Sequence, residues 1–162
     1  SLGDPSSLID KLELALFAGK IAAYAQGFAV LEAASKEFMW ALPMATVARI
    51  WRAGCIIRSQ FLDTIASGFE QNKGLTNLLV APDFVTMMQG ATPALRHIVA
   101  RGAQEGLPLP ALSSALAYFD SYRQARGTAN LIQAQRDFFG AHGFKRLDGE
   151  GDFHGPWGSG NN

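Results

Sequence analysis

Between Ser7 and Phe38 the chain carries a helical pattern that is apolar or small on nearly every face, and this pattern most limits the possible folds. Leu8, Leu12, Leu16, Ile21, Tyr24, Phe28 and Leu31 recur at steps of three to five, while Ala15, Ala18, Gly19, Ala22, Ala23 and Ala25 keep the remaining faces thin. A helix with so little polar surface belongs at the centre of its domain, so residues 7–38 are expected to form the middle of a bundle. Ser7 followed by Asp10 resembles a capping box opening that helix. Gly19 and Gly27 each cost about 1 kcal/mol relative to alanine inside a helix, which marks both as points of expected close packing.

The rest of the chain continues the helical theme. Pro43 opens a short helix with Val47, Ile50 and Trp51, which Gly54 can end. Cys55 to Asn72 presents Ile56, Ile57, Phe61, Leu62, Ile65 and Phe69 at helical spacing. Pro82-Asp83 starts a pattern that runs to about Gly106. Gly90 and Pro93 leave open whether it forms one helix or two. Pro110 to Ala125 and Ala129 to Gly140 complete the set. Residues 143–162 show no sustained period and hold six glycines, yet Phe144, Phe153 and Trp157 are too apolar for a freely solvated tail. The expected fold is an all-α, multi-helix bundle around a long central helix, with an extended C-terminal tail.

At 162 residues the chain can bury a sizeable core as one domain. Hydrophobic residues make up 48% and charged residues 17%, so some apolar surface is expected to meet a partner. The formal net charge of +0 argues against nucleic acid as a partner and requires any ligand attraction to be local. The single cysteine, Cys55, sits beside Ile56 and Ile57 and reads as a buried thiol in a reducing compartment. No apolar run approaches the ~20 residues of a membrane helix, and no signal-peptide pattern opens the chain, so the expectation is a cytoplasmic protein without a membrane partner.

Ala129 to His142 is the richest stretch chemically. Leu131, Ile132, Ala134, Phe138 and Phe139 could form an apolar stripe, while Asn130, Gln133, Gln135, Arg136 and Asp137 offer hydrogen bonds in several directions. Arg136 and His142 are close enough in sequence to reach one ligand, giving a candidate anion site. The plain alternatives are an ion pair of Arg136 with Asp137 or Glu150, and a helix-end cap for His142. His97, His142 and His154 are scattered without metal-ligand spacing, so no metal site is expected. Arg49, Arg52 and Arg58 around Trp51 read as internal ion-pairing or stacking residues, with Asp63 nearby. Lys20 has no carboxylate two turns on, where Gly27 sits, and reads as a structural or snorkelling lysine. No Gly-x-Gly-x-x-Gly follows a strand, so no nucleotide domain is expected.

Three segments carry a family resemblance: Lys20 to Phe28 (KIAAYAQGF), Ile50 to Arg58 (IWRAGCIIR) and Asn130 to His142 (NLIQAQRDFFGAH). In that order they resemble the C-terminal part of the decarboxylating 6-phosphogluconate dehydrogenase family, and the likeness runs from about Leu8 to Trp157. The resemblance implies the second half of a large helical domain, residues 1–142, and a tail, 143–162, docking on a partner subunit. It implies that NADP is bound mainly by an N-terminal domain absent from this chain, that no catalytic residue lies here, and that the fragment alone is inactive. Lys20 corresponds to a look-alike of the family's catalytic lysine, with Gly27 where an acid partner would stand. The family oxidises and decarboxylates 6-phosphogluconate to ribulose 5-phosphate without a metal, in the pentose phosphate pathway. Arg136 matches the arginine that grips the substrate phosphate, and His142 a tail histidine that contacts substrate. In the family both reach the other subunit of a homodimer. The chain departs from the family's pattern at Gly127-Thr128, where Leu-Pro is frequent, and at Gly143-Phe144, where Thr-Tyr is frequent. The rival expectation is a stand-alone, non-catalytic helical dimerisation or binding module.

Overall fold

The computed structural model describes residues 5–54 and 61–157. They form six α-helices and one short 3-10 turn: α1 Pro5–Glu37, α2 Met44–Gly54, α3 Phe61–Gln71, the turn Leu78–Val80, α4 Pro82–Gln104, α5 Pro110–Tyr122 and α6 Ala129–Gly140. Among the described residues no strand occurs; Phe144 and Phe153 form one isolated antiparallel bridge. The all-α class is therefore observed. The chain divides into two compact units, residues 1–120 and 121–162.

In the first unit α1 packs along α4, and α2 pairs with α3. Ala15, Ala18, Ile21, Ala22, Ala25 and Phe28 form the buried stripe of α1, facing a core that includes Leu62, Ile65, Leu78, Phe84, Met88 and Leu95. The alanines let neighbouring helices approach closely, and Phe28 fills the far end, its ring 5.3 Å from both Trp51 and Phe69. Gly19 is the expected close contact, since a Cβ there would lie 2.9 Å from Leu112 Cδ2. Gly27 is not: it is exposed with open space around it, because it falls on the α1 face away from the buried stripe. Ser7 lies inside α1 rather than capping it, and its hydroxyl accepts from Lys11 Nζ.

By length and composition α1 could cross a membrane, which corrects the expectation that no apolar run was long enough. Its alanines raise the apolar character without bulk, and four of them, Ala15, Ala18, Ala22 and Ala25, are buried against the core. The helix ends in a turn built from non-glycine residues, Met39 and Ala41, at φ 55° and 51°. Each left-handed residue costs about 1–2 kcal/mol. Ser35 offsets this by accepting from Trp40 N–H through its carbonyl and from Leu42 N–H through its hydroxyl.

The stretch from Pro82 is one continuous helix that passes through Pro93. Pro93 faces outward while Ala91, Thr92, Ala94 and Leu95 are buried around it, so packing holds the turn although the proline gives no amide donor. Asn77, 1% exposed, links two elements: its Oδ1 accepts from Leu79 N–H at 2.9 Å, and its Nδ2 donates to the Tyr118 hydroxyl of α5 at 2.7 Å. α5 stops at Tyr122, three residues before the expected Ala125.

Candidate functional site

The second unit is built on α6. Its C-terminus is closed by Ala141 in the left-handed region (φ 50°, ψ 37°), whose N–H donates to the Asp137 carbonyl at 2.8 Å. Gly143, at φ 70°, then turns the chain back. His142 lies between these two residues, with its ring over Gly140. A Cβ at position 140 would come within 2.5 Å of His142 Nε2, so the ring occupies space that only glycine leaves open.

Asp137 is the one buried residue of α6, at 3% exposure. Its Oδ1 accepts from Gly143 N–H at 2.8 Å and from His154 Nδ1 at 2.7 Å. Its Oδ2 accepts from Gly155 N–H at 2.7 Å and from the Trp157 indole at 2.9 Å. The Gly155 amide, followed by the His154, Trp157 and Gly143 donors, holds this carboxyl well below the usual carboxylate range. Residues 143–157 are thus folded back onto α6 within the chain. The Phe144 and Phe153 backbones exchange two bonds of 2.9 Å. Gly155 is bare for a reason, since a Cβ there would lie 2.0 Å from Trp157 Cζ2.

The apolar side chains of α6 do not turn inward. Leu131, Ile132, Phe138 and Phe139 are 54–76% exposed in the single chain, and the helix buries an acid instead. The sequence offered Asp137 as one of several hydrogen-bonding groups on α6 and as a possible ion-pair partner of Arg136. Arg136 instead donates through Nη1 to Gln133 Oε1 at 2.9 Å, one turn back, and no carboxylate pairs with it among the described residues.

Arg136 and His142 line one surface hollow of about 830 Å³. Arg126, Lys145 and Arg146 line it too, against Asp148 and Asp152. Arg146 is committed to Asp148 by two bonds of 2.7 and 2.6 Å and lies over the Phe153 ring. The remaining guanidinium and ammonium groups leave the hollow with an excess of positive charge. Such a surface can bind a phosphate or carboxylate through charge-assisted hydrogen bonds. Sequence reasoning missed Arg126, Lys145 and Arg146; the available signal was the cluster of basic residues on either side of α6, whose convergence depends on the tail's reversal. Among the described residues no group of three or more potential metal ligands occurs.

Other candidates lie in the first unit. Lys20 is exposed at the edge of an apolar groove of about 750 Å³ between α1 and α5, with its Nζ 5.2 Å from the Phe61 ring centroid. Arg49 pairs with Glu70 at 2.6 Å and Arg52 with Asp63 at 2.8 Å, as internal ion pairing required. His97 is exposed on α4. Cys55 and Arg58 lie outside the described residues.

Residues 1–157 match the family model described as 6-phosphogluconate dehydrogenase, C-terminal domain. The chain is 53% identical over 156 residues to the decarboxylating 6-phosphogluconate dehydrogenase of Klebsiella pneumoniae, covering 96% of this chain and 33% of that protein. It is 49% identical over 155 residues to the enzyme of that name from Lactococcus lactis subsp. lactis, again covering 96% and 33%. Among solved structures it is similar to Plasmodium falciparum 6-phosphogluconate dehydrogenase, described in its apo form and in complexes with its cofactor NADP+ and its substrate 6-phosphogluconate. The TM-score is 0.89 at 40% identity, covering 95% of this chain and 33% of that one. The chain therefore spans about a third of the length of the curated relatives it matches.

Proposed function

This chain belongs to the 6-phosphogluconate dehydrogenase family, and we propose that it forms the C-terminal part of an enzyme that oxidatively decarboxylates 6-phosphogluconate with NADP. Its own contribution is the grip on the substrate phosphate and contact between the subunits of a homodimer. The single observation that carries this reading is that Arg136 and His142 line one hollow with surplus positive charge.

The chemistry of the hollow matches a phosphate monoester. The Arg136 guanidinium presents parallel N–H donors at the spacing of two phosphate oxygens, and one such pair gives orientation as well as affinity. His142 adds a donor from the turn beyond α6. Both groups are suited to binding an anion, so the part given to this chain is to bind and orient substrate. The described residues do not fit NADP: with no strand leading into a glycine-rich turn, there is no cradle for its pyrophosphate. The cofactor and the reacting groups are assigned to the remaining two thirds of the family's length, and the compartment to the cytoplasm.

The dimer is supported by the exposed apolar residues of α6, Leu131, Ile132, Phe138 and Phe139, which form a patch of the kind that meets a partner. In this reading the tail of one subunit, with Arg136 and His142, completes the site of the other. The full-length protein should reduce NADP on addition of 6-phosphogluconate with release of carbon dioxide, and the present chain alone should not. A full-length protein that binds no 6-phosphogluconate, or that sediments as a monomer at every concentration, would remove the corresponding part of the proposal.

A further inference from the structure

The carboxylate of Asp137 serves two tasks at once. On one side it holds the turn carrying His142, because the residue after the histidine, Gly143, donates its N–H to Asp137 Oδ1; the N–H of the residue before it, Ala141, goes to the main-chain carbonyl of Asp137. On the other side the same carboxylate receives three donors from the tail, at His154, Gly155 and Trp157. A buried acceptor with four donors has little freedom, since moving it toward one set breaks bonds with the other.

We infer that Asp137 is a positioning residue through which the docked tail, residues 153–157, fixes the backbone and hence the imidazole of His142 at the anion hollow. This rests on the reading of His142 as a substrate contact given above. Asp137 itself is turned away from the ligand: it is buried and not among the residues lining the hollow, whereas Trp157 both bonds to it and lines the hollow. The tail therefore acts on affinity from behind the site, and the length of chain between Gly143 and Gly155 is the span that one carboxylate closes.

The geometry separates this role from simple structural support. A residue that acts only through His142 has nothing left to position once the imidazole is gone. The test is a double-mutant cycle in the full-length dehydrogenase, reading KM and kcat for 6-phosphogluconate in wild type, Asp137→Asn, His142→Ala and the double variant. Asp137→Asn is expected to raise KM about tenfold, the effect of misplacing one charge-assisted hydrogen bond. Its effect should shrink to less than about twofold in the His142→Ala background. Equal effects of Asp137→Asn in both backgrounds would overturn the inference while leaving His142 as a ligand. An unchanged KM in His142→Ala alone would overturn both the inference and the ligand reading beneath it. If Asp137→Asn yields no folded enzyme, Gly155→Ala pushes the Trp157 ring away while leaving the carboxylate intact. It should raise KM in the wild-type background and not in His142→Ala, and additivity there again overturns the inference.

Discussion

The indole N–H of Trp157 donates to Asp137 Oδ2 at 2.9 Å, tying the tail to the last turn of α6 across 20 residues of chain. Because the donors around Asp137 favour its charged form, its pKa in the folded chain lies well below the unfolded value of 3.8. Its contribution to stability is therefore fully present above the unfolded value and is lost as pH falls below it toward the folded one. The Trp157 indole N–H resonance should keep its native position at neutral pH and lose protection progressively below about pH 4. In Asp137→Asn that acid transition should disappear. An indole signal in the wild type that is equally protected at pH 2 and pH 7 would contradict this assignment.

Gly155 is the position where the tail has least room. Its missing side chain is replaced by the Trp157 ring, so Gly155→Ala should displace the indole and loosen residues 153–157. The cost expected for such overpacking is about 1–3 kcal/mol, confined to the second unit. Hydrogen exchange checks it: the Gly143 and Gly155 amides should exchange faster, while amides of α4 keep their wild-type rates.

In the first unit, Asn77→Ala removes an acceptor for the Leu79 amide and a donor to Tyr118 together. With the Leu79 amide left buried, the loss should be about 1–3 kcal/mol. Leu95→Ala, at a fully buried position facing α1, should cost more, about 2–5 kcal/mol. Denaturant melts of both variants against wild type give the order directly, and a smaller loss for Leu95→Ala would contradict the placement of the core.

The helical plan was legible because its signals are local. The α1 pattern expected over 7–38 is observed over Pro5–Glu37, and Ala129 to Gly140 is a helix with those limits. Where local signals conflicted, packing decided: Gly90 and Pro93 could have divided α4, but buried residues on both sides of the proline hold it as one helix. Gly27 could not be told from Gly19 by sequence, since only the placement of α5 distinguishes a glycine under Leu112 from one in open space. Arg136 and His142 were legible as a pair because only the last turn of α6 and its cap separate them. Asp137 was not, because its partners His154, Gly155 and Trp157 are brought to it by a tail without periodicity.

A second cation of the hollow provides a separate check on its charge. Lys145 lines it without a carboxylate partner among the described residues, so Lys145→Gln should weaken binding of 6-phosphogluconate to the full-length enzyme modestly, by about 0.5–1 kcal/mol at low salt. The loss should fade as ionic strength rises past ~0.15 M. A salt-independent loss, measured by equilibrium titration across that range, would mean that Lys145 contributes by packing and not by charge.

The account turns on Arg136 as the phosphate grip, and one titration reads it directly: the Kd of full-length wild type and Arg136→Ala for 6-phosphogluconate, with folding verified by circular dichroism. Losing the guanidinium's charge-assisted bonds should cost about 2 kcal/mol or more, a rise of roughly thirtyfold in Kd. A folded Arg136→Ala enzyme whose Kd equals that of the wild type would contradict the account.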